Sequence, residues 1–140
     1  MPLKFRNALG NSFVITKGIG PCLSVYREAD FDKIETDLNK QPSLDPHVLR
    51  MKRLLCAPAV DTDTDNQGRV ALPGNLRQWA GIDTEVVVVG MGEKIEIWSR
   101  GGWIALNESL DDEKIVCSAR ETGLARTISG ETSAQEEFSE

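Results

Sequence analysis

The sequence has few of the residue types that build metal and catalytic sites. It contains one histidine, His47, and three cysteines, Cys22, Cys56 and Cys117, without a C-x-x-C pair. One histidine cannot supply a zinc cluster, and any catalytic triad would have to be built around that residue alone. The odd number and scattered spacing of the cysteines are typical of reduced thiols in a cytosolic protein rather than of a disulfide framework.

Long apolar runs and enzyme motifs are also missing. No stretch approaches the roughly 20 apolar residues of a membrane-spanning helix, and no signal-peptide core follows the first residues. The sequence has no G-x-S-x-G and no Walker loop, and no pair of acidic residues stands out for acid–base work. We therefore expect no catalytic residue, metal or cofactor, no membrane partner, and a cytoplasmic location.

The acidic excess of the chain lies at one end. The 140 residues carry a formal net charge of −6. Residues 1–106 contain 13 basic and 13 acidic residues, whereas residues 107–140 contain 3 and 9. The C-terminal segment is poor in apolar residues at its end, and we expect a C-terminal helix followed by a disordered acidic tail. The net charge neither supports nor excludes nucleic-acid binding by the remainder.

The run "DTDTDNQGRV" (residues 61–70) places three aspartates at alternate positions, as a calcium loop does. An EF-hand would need Gly at position 6 and Glu at position 12, where this sequence has Asn66 and Leu72. Alternating Asp and Thr instead predicts a strand with a polar face. "DNQG" is then a turn in which Gly68 takes positive φ, and "RVALP" is a strand that leaves the turn.

An internal repeat organises most of the chain. "PLKFRNALG" (Pro2–Gly10) aligns with "PGNLRQWAG" (Pro73–Gly81) as P-x-x-[FL]-R-x-x-x-G, and each segment is bounded like a helix of one or two turns. Each is followed by a β-branched run, "SFVITKG" or "TEVVVVG", and then by "CLSVY" or "KIEIW". We expect "FVIT" and "VVVV" to be buried strands. Alternation places four residues on one apolar face: Leu23, Val25, Ile95 and Ile97.

Two helices are predicted between the copies. "EADFDKIETDLNKQ" has helical apolar spacing, and the second helix begins at Asp45 as N-cap with Pro46 at the first helical position. Along "HVLRMKRLLCA" the predicted buried stripe is Val48, Met51 and Leu55. The predicted solvated face is Arg50, Lys52 and Arg53.

One element is present in only one copy. A strand and turn precede Pro73, whereas only Met1 precedes Pro2. The symmetry therefore predicts that this sequence lacks the leading strand and turn of its first half, through a shortened chain, a mis-assigned start or natural variation.

The combination "DNQGRVALPGNLRQWAGI" followed by "EVVVVGMGEKIEIWS" resembles the MraZ family of bacterial transcriptional regulators, which is associated with the division and cell-wall gene cluster. It resembles more distantly the AbrB/SpoVT group of swapped-hairpin barrels. The similarity covers roughly Pro2 to Leu106; the family carries two D-x-x-G-R motifs, and only the second is present here. It implies an α+β, double-psi-type barrel with a first repeat at 1–36, a helical connection at 37–58, a second repeat at 59–106 and a tail at 107–140.

The resemblance also implies a function. Family members assemble into rings whose loop arginines face direct repeats in promoter DNA, so we expect a homo-oligomeric, nucleoid-associated regulator that binds double-stranded DNA. By the motif, Arg69 is the DNA-binding arginine, and Asp65 and Gly68 form the turn that presents it. The further DNA-binding candidates are Arg77, Arg6 and Lys4.

Structural interpretations of the same residues remain open. Arg69 could pair with Asp65 across the turn, and Arg77 and Arg6 could cap or salt-bridge short helices. The tryptophans Trp79, Trp98 and Trp103 are more typical of core or subunit contacts than of base-stacking platforms. The alternative function is an oligomeric structural or interaction module of the same fold with weak or no DNA binding.

Overall fold

The structure, a computed structural model, describes residues 3–10, 12–124 and 126. Those residues form a mixed α+β fold, as predicted. In chain order the elements are α1 (Leu3–Leu9), β1 (Ser12–Lys17), β2 (Cys22–Arg27), α2 (Glu28–Asn39), α3 (Pro46–Met51), a π-helical turn (Lys52–Cys56), β3 (Val60–Asp63), α4 (Gly74–Ala80), β4 (Val86–Gly90), β5 (Ile95–Ser99), α5 (Arg100–Glu108) and α6 (Asp112–Glu121).

The contacts divide the chain into two units, residues 1–103 and residues 104–140. The first unit holds the whole sheet. The second holds α6, the predicted C-terminal helix, whose N-cap Asp111 accepts a hydrogen bond from the Lys114 amide at 2.7 Å. The predicted acidic tail at 127–140 lies outside the described residues. None of the described helices is long and apolar enough to cross a membrane.

The five strands form one antiparallel sheet in the order β3-β1-β2-β5-β4. The hairpin β1–β2 comes from the first copy of the repeat, and β4–β5 comes from the second. The two hairpins meet where β2 pairs with β5. Strand β3 belongs to the second copy but pairs with β1 of the first, so the two copies are interleaved. The prediction of a two-repeat, β-rich and barrel-like fold is confirmed.

The register between the two central strands shows that the repeat is a structural one. Leu23, Ser24 and Val25 pair with Ile97, Glu96 and Ile95, in that order. In the sequence alignment of the copies, Ser24 corresponds to Glu96. A residue that pairs with its own counterpart marks the axis of a local two-fold symmetry, which relates one hairpin to the other.

The main hydrophobic core covers one face of this sheet. The four residues predicted to share an apolar face are all in it and are at most 5% exposed. The short helices of the two copies pack on this core: α1 contributes Leu9, and α4 contributes Leu76 and Ala80. Helix α4 ends as predicted, because Gly81 takes a left-handed conformation with φ +64° and returns hydrogen bonds to the last turn.

The helical connection covers the opposite face. Phe31 of α2 packs with Val14 and Tyr26 from the sheet. Thr16 Oγ1 donates a hydrogen bond of 2.7 Å to the Leu55 carbonyl in the π-helical turn. Both helices were predicted, and the N-cap is confirmed because Asp45 accepts a bond of 2.8 Å from the His47 amide.

Details of the second connecting helix differ from expectation. The predicted single helix is an α-helix that continues as a π-helical turn at Lys52–Cys56. Val48 and Leu55 are buried as predicted, but Met51 and Lys52 are half-buried. The wider turn changes the angle between successive side chains, so a stripe extrapolated at 3.6 residues per turn drifts off the buried face.

The prediction that "VVVV" is a buried strand is wrong. Val86 is 44% exposed, and Val87 to Val89 are half-buried. Among the described residues β4 pairs only with β5, so it is an edge strand. Its symmetry counterpart β1 pairs on both sides, with β2 and β3, and both of its faces are covered: Phe13 and Ile15 lie in the main core, and Val14 packs with Phe31. No described strand pairs with the outer edge of β4.

The prediction that "RVALP" continues as a strand is also wrong. Residues 69–73 form no strand, although Val70 and Leu72 pack against the main core. A strand needs a neighbouring backbone for its hydrogen-bond ladder. After the turn, the backbone bonds given for the described residues are one from the Asp65 amide to the Arg69 carbonyl and two from the first turn of α4 to the Pro73 carbonyl, and none of them belongs to a ladder between strands.

Leu76→Ala tests whether α4 is an integral part of the core. Leu76 is fully buried, so we expect the free energy of unfolding to fall by about 2–5 kcal/mol through lost burial and a residual cavity. The measurement is urea unfolding followed by circular dichroism. Leu44→Ala is the matched control, because Leu44 is 86% exposed and its loss should change stability by about 0.5 kcal/mol at most. Equal effects of the two variants would contradict the assigned core.

Candidate nucleic-acid interface

The segment Asp65–Arg69 forms a closed three-residue loop. The Gly68 amide donates to the Asp65 carbonyl at 2.9 Å, and the Asp65 amide donates to the Arg69 carbonyl at 2.9 Å. Gly68 has φ +78°, which a residue without Cβ adopts readily. This pattern of bonds is that of a tight hairpin loop with a left-handed glycine at its end. The turn predicted at "DNQG" is therefore confirmed.

The Asp65 carboxylate fastens the loop from inside. Its Oδ1 accepts hydrogen bonds of 2.8 Å from the amides of Gln67 and Arg69. The Arg69 amide is the main cause that lowers the pKa of Asp65, and the Gln67 amide adds to it. A lowered pKa means that the folded loop favours the carboxylate. The stabilisation is therefore present at neutral pH and is lost as the pH falls through the folded-state pKa.

The Arg69 side chain is exposed at the end of this loop. The expected alternative, a salt bridge with Asp65, is not seen, because the carboxylate is engaged by the Arg69 backbone instead. No ion pair within the described part of the chain involves the Arg69 guanidinium. An arginine that directly follows a fastened turn is displayed to solvent on a fixed backbone.

Arg6 lies against the same loop from the other copy of the repeat. The position of a Cβ on Gly68 would be 2.9 Å from Arg6 Cζ, so a side chain at this position would displace the end of the Arg6 side chain. Arg6 Nε is buried and has no hydrogen-bond partner among the described residues. An unsatisfied buried donor costs about 1–3 kcal/mol. The sequence alone gave no signal for this contact, because it joins residues of different copies.

Arg77 and Lys4, the other predicted DNA-binding residues, have separate surroundings. Arg77 Nη2 donates a bond of 2.8 Å to the Asp83 carbonyl, just beyond the end of α4. Lys4 is exposed, and its Nζ lies 4.9 Å from the centre of the Phe5 ring. Arg6 therefore contacts the loop that carries Arg69, whereas Arg77 bonds a carbonyl just beyond the end of its own helix.

The tryptophans have structural contacts. Trp98 is buried, and its Nε1 donates to Glu96 Oε1 at 3.0 Å; its ring lies 6.0 Å from that of Trp103. Trp79 Nε1 donates to the Gly20 carbonyl at 3.0 Å, and Lys17 Nζ lies 4.9 Å from the Trp79 ring. These contacts tie α4 to the β1–β2 turn and support the interpretation that the tryptophans are packing residues.

A polar cluster that sequence reasoning missed lies on the two-fold axis of the sheet. Lys94 Nζ is 3.4 Å from Glu96 Oε2 and 3.4 Å from Ser24 Oγ.

Burial first, and the nearby Glu96 carboxylate second, raise the pKa of the Cys22 thiol to about 11. At neutral pH this cysteine is a protonated packing residue and a poor nucleophile.

An acidic cleft separates the connecting helices from the edge of the sheet. Its volume is about 390 Å³, and its lining includes Glu28, Asp32, Glu35 and Asp61. No group of His, Cys, Asp or Glu among the described residues has the arrangement of a metal site. Four carboxylates would repel a phosphate backbone. The cleft is therefore a poor surface for nucleic acid.

Comparison with known proteins places the chain in a family. The model of the family described as "MraZ protein, putative antitoxin-like" matches twice, over residues 1–54 and 55–123. The two matches correspond to the two copies of the repeat.

Similar curated proteins carry the name "Transcriptional regulator MraZ". One from Caldicellulosiruptor bescii is 37% identical over 126 residues, which are 89% of this chain and 88% of that protein. One from Syntrophomonas wolfei is 39% identical over 78% of this chain and 76% of that protein. One from Moorella thermoacetica is 43% identical over 74% of this chain and 72% of that protein. With both repeats matched and relatives similar along most of their length, the chain belongs to the MraZ family.

Proposed function

We propose that this protein is a transcriptional regulator that binds specific promoter DNA and reads it with Arg69. The family and the printed names of the relatives support regulation of transcription. The observation that carries the DNA-reading role is the presentation of Arg69: an exposed arginine, without an ion-pair partner among the described residues, on a loop fastened by Asp65 and Gly68.

The guanidinium of Arg69 suits either of two contacts. Its planar, forked donors match O6 and N7 of guanine in the major groove, and they also match a phosphate. A backbone that is already fixed loses little conformational entropy when the side chain binds. Lys4 and Arg77, both exposed, would add contacts to phosphates, which position a protein without reading the sequence.

One arginine on a neutral unit binds DNA weakly, so the proposal includes assembly. A homo-oligomeric ring would present several Arg69 loops to direct repeats, and linked sites bind far more tightly than single ones. The edge strand β4 supports such assembly, because its outer backbone is unpaired among the described residues and Val86 is 44% exposed.

The expected target is the promoter of the division and cell-wall gene cluster. The protein would then act in the cytoplasm, associated with the nucleoid, and without catalysis.

The same edge favours a second candidate function, an oligomeric structural or interaction module that binds DNA weakly or not at all. This candidate needs β4 but not Arg69. The two functions therefore differ in their response to substitutions at these two places.

Arg69→Ala tests the DNA-reading role. We expect its affinity for the promoter upstream of its own gene to fall about 5- to 150-fold, and its preference over unrelated DNA to weaken, because a bidentate arginine–guanine contact is worth about 1–3 kcal/mol. Fluorescence anisotropy with both DNA fragments at low and moderate salt measures this.

Arg53→Ala is the charge-matched control for Arg69→Ala. Arg53 is exposed in the π-helical turn, so its loss removes one positive charge without touching the loop. Retention of promoter preference by the Arg53 variant and its loss from the Arg69 variant support the proposal. The same small loss in both variants, or wild-type protein that does not prefer the promoter, contradicts it.

Asp65→Ala and Asp65→Asn separate the loop geometry from the charge of the carboxylate. The amide oxygen of Asn can accept the same bonds from the Gln67 and Arg69 amides, whereas Ala cannot. We expect Asp65→Ala to weaken promoter binding several-fold and Asp65→Asn to retain most of it. If Asn is as damaging as Ala, the fastened loop is not what presents Arg69.

Val86→Lys tests assembly through β4. A charged side chain on an exposed edge disfavours pairing with another edge. We expect sedimentation velocity to show an oligomer for the wild type and a shift towards the monomer for the variant, with a parallel loss of promoter affinity. A wild-type monomer that binds the promoter normally would rule out the ring.

A further inference from the structure

We propose that Arg6 is a positioning residue for the DNA-reading loop: its guanidinium plane supports the backbone at Gly68 and thereby sets the direction in which Arg69 leaves the turn. The inference rests on the proposed role of Arg69. It gives Arg6 a role different from the direct DNA contact expected from the sequence.

The distances show that the plane of the guanidinium faces the glycine. The position of a Gly68 Cβ lies 2.9 Å from Arg6 Cζ, 3.0 Å from Nη1 and 3.1 Å from Nε. A point directly above Cζ at 2.9 Å would be about 3.2 Å from each nitrogen, given a C–N bond of about 1.33 Å. The observed distances are close to these values, so the group stacks face-on and does not approach with its edge.

Two features favour glycine at position 68. Its φ of +78° is unfavourable for residues with a side chain. In addition, the guanidinium occupies the space that a Cβ would need. The loop backbone before Arg69 therefore has two supports. The Asp65 carboxylate accepts bonds from the Gln67 and Arg69 amides, and the planar guanidinium of Arg6 packs against Gly68.

The buried Nε argues against direct contact of that atom with DNA. A donor without solvent exposure cannot reach a phosphate or a base edge. Arg6 also has no ion pair among the described residues. Like charges repel, and this favours Arg69 conformers in which the second guanidinium points away from Arg6.

The counterpart of Arg6 in the second copy has different surroundings. Arg77 occupies the same motif position, yet it is exposed and donates to the Asp83 carbonyl within its own copy. Arg6 differs because the interleaved topology carries the second copy's loop onto the first copy's helix.

The test compares Arg6→Met, Arg6→Lys and a control, Arg53→Met, in the full chain. Met retains a long side chain but removes the plane and the charge, and Lys retains the charge without the plane. Amide hydrogen exchange of Gly68 and Arg69, measured without DNA, reports the order of the loop. Anisotropy titrations with the promoter fragment and an unrelated fragment over several salt concentrations report specificity.

We expect both Arg6 variants to exchange the loop amides about tenfold faster than wild type, while the amides of β1 keep their protection. The preference for the promoter over unrelated DNA should fall about tenfold in both variants. Arg6→Lys should keep the wild-type salt dependence of binding to unrelated DNA, because it keeps the charge. Arg53→Met should leave loop exchange and the preference unchanged.

Two results would overturn the inference. One is unchanged exchange of the Gly68 and Arg69 amides in Arg6→Met. The other is an equal loss of affinity for both DNA fragments with a salt slope reduced by about 1, which is the sign of a direct phosphate contact. If the loop loosens but the wild-type protein shows no promoter preference, the supporting role of Arg6 stands and the proposed function fails.

Discussion

The pairing of β2 with β5 is the interaction on which the rest of the molecule depends. It sets Ser24 opposite its counterpart Glu96 and so relates the two hairpins by a local two-fold axis. The symmetry brings α1 and α4 to the same face, where they share one core, and leaves the other face to the helical connection. The axis itself is polar, with Lys94 close to both Ser24 and Glu96. A buried polar group of this kind favours one register over its neighbours, since a shift would separate the partners.

The interleaving that follows from this pairing explains the composition of the candidate interface. Strand β3 of the second copy pairs with β1 of the first, and the loop that follows β3 packs against Arg6. The D-x-x-G-R motif is therefore only part of the unit that presents Arg69. Its aspartate fastens the backbone locally, whereas its glycine is adapted to a residue about sixty positions earlier in the chain.

Sequence reasoning predicted the local features correctly and missed those that depend on neighbours. The period-2 pattern of Leu23, Val25, Ile95 and Ile97, the Asp45 cap and the Gly68 turn each follow from short-range physics, and the structure confirms them. The exposure of the "VVVV" strand could not be predicted from composition, because burial of a strand depends on what pairs with its edges. The same holds for "RVALP", which has the composition of a strand but pairs with no strand among the described residues. The contact between Arg6 and Gly68 required knowledge of how the copies interleave.

The two-fold pairing also has a consequence for the order of folding. Each hairpin closes a short segment of chain, and such structures form within about 1–10 μs. The central pairing joins residues about 70 positions apart, so the entropy of closing that long loop must be paid before the paired strands can stabilise it. The connecting helices shorten the effective loop when they form early, because Thr16 anchors the second helix to β1. Docking of the helical connection onto β1 is therefore expected to speed the central pairing, although none of its residues lies at the proposed DNA-reading loop.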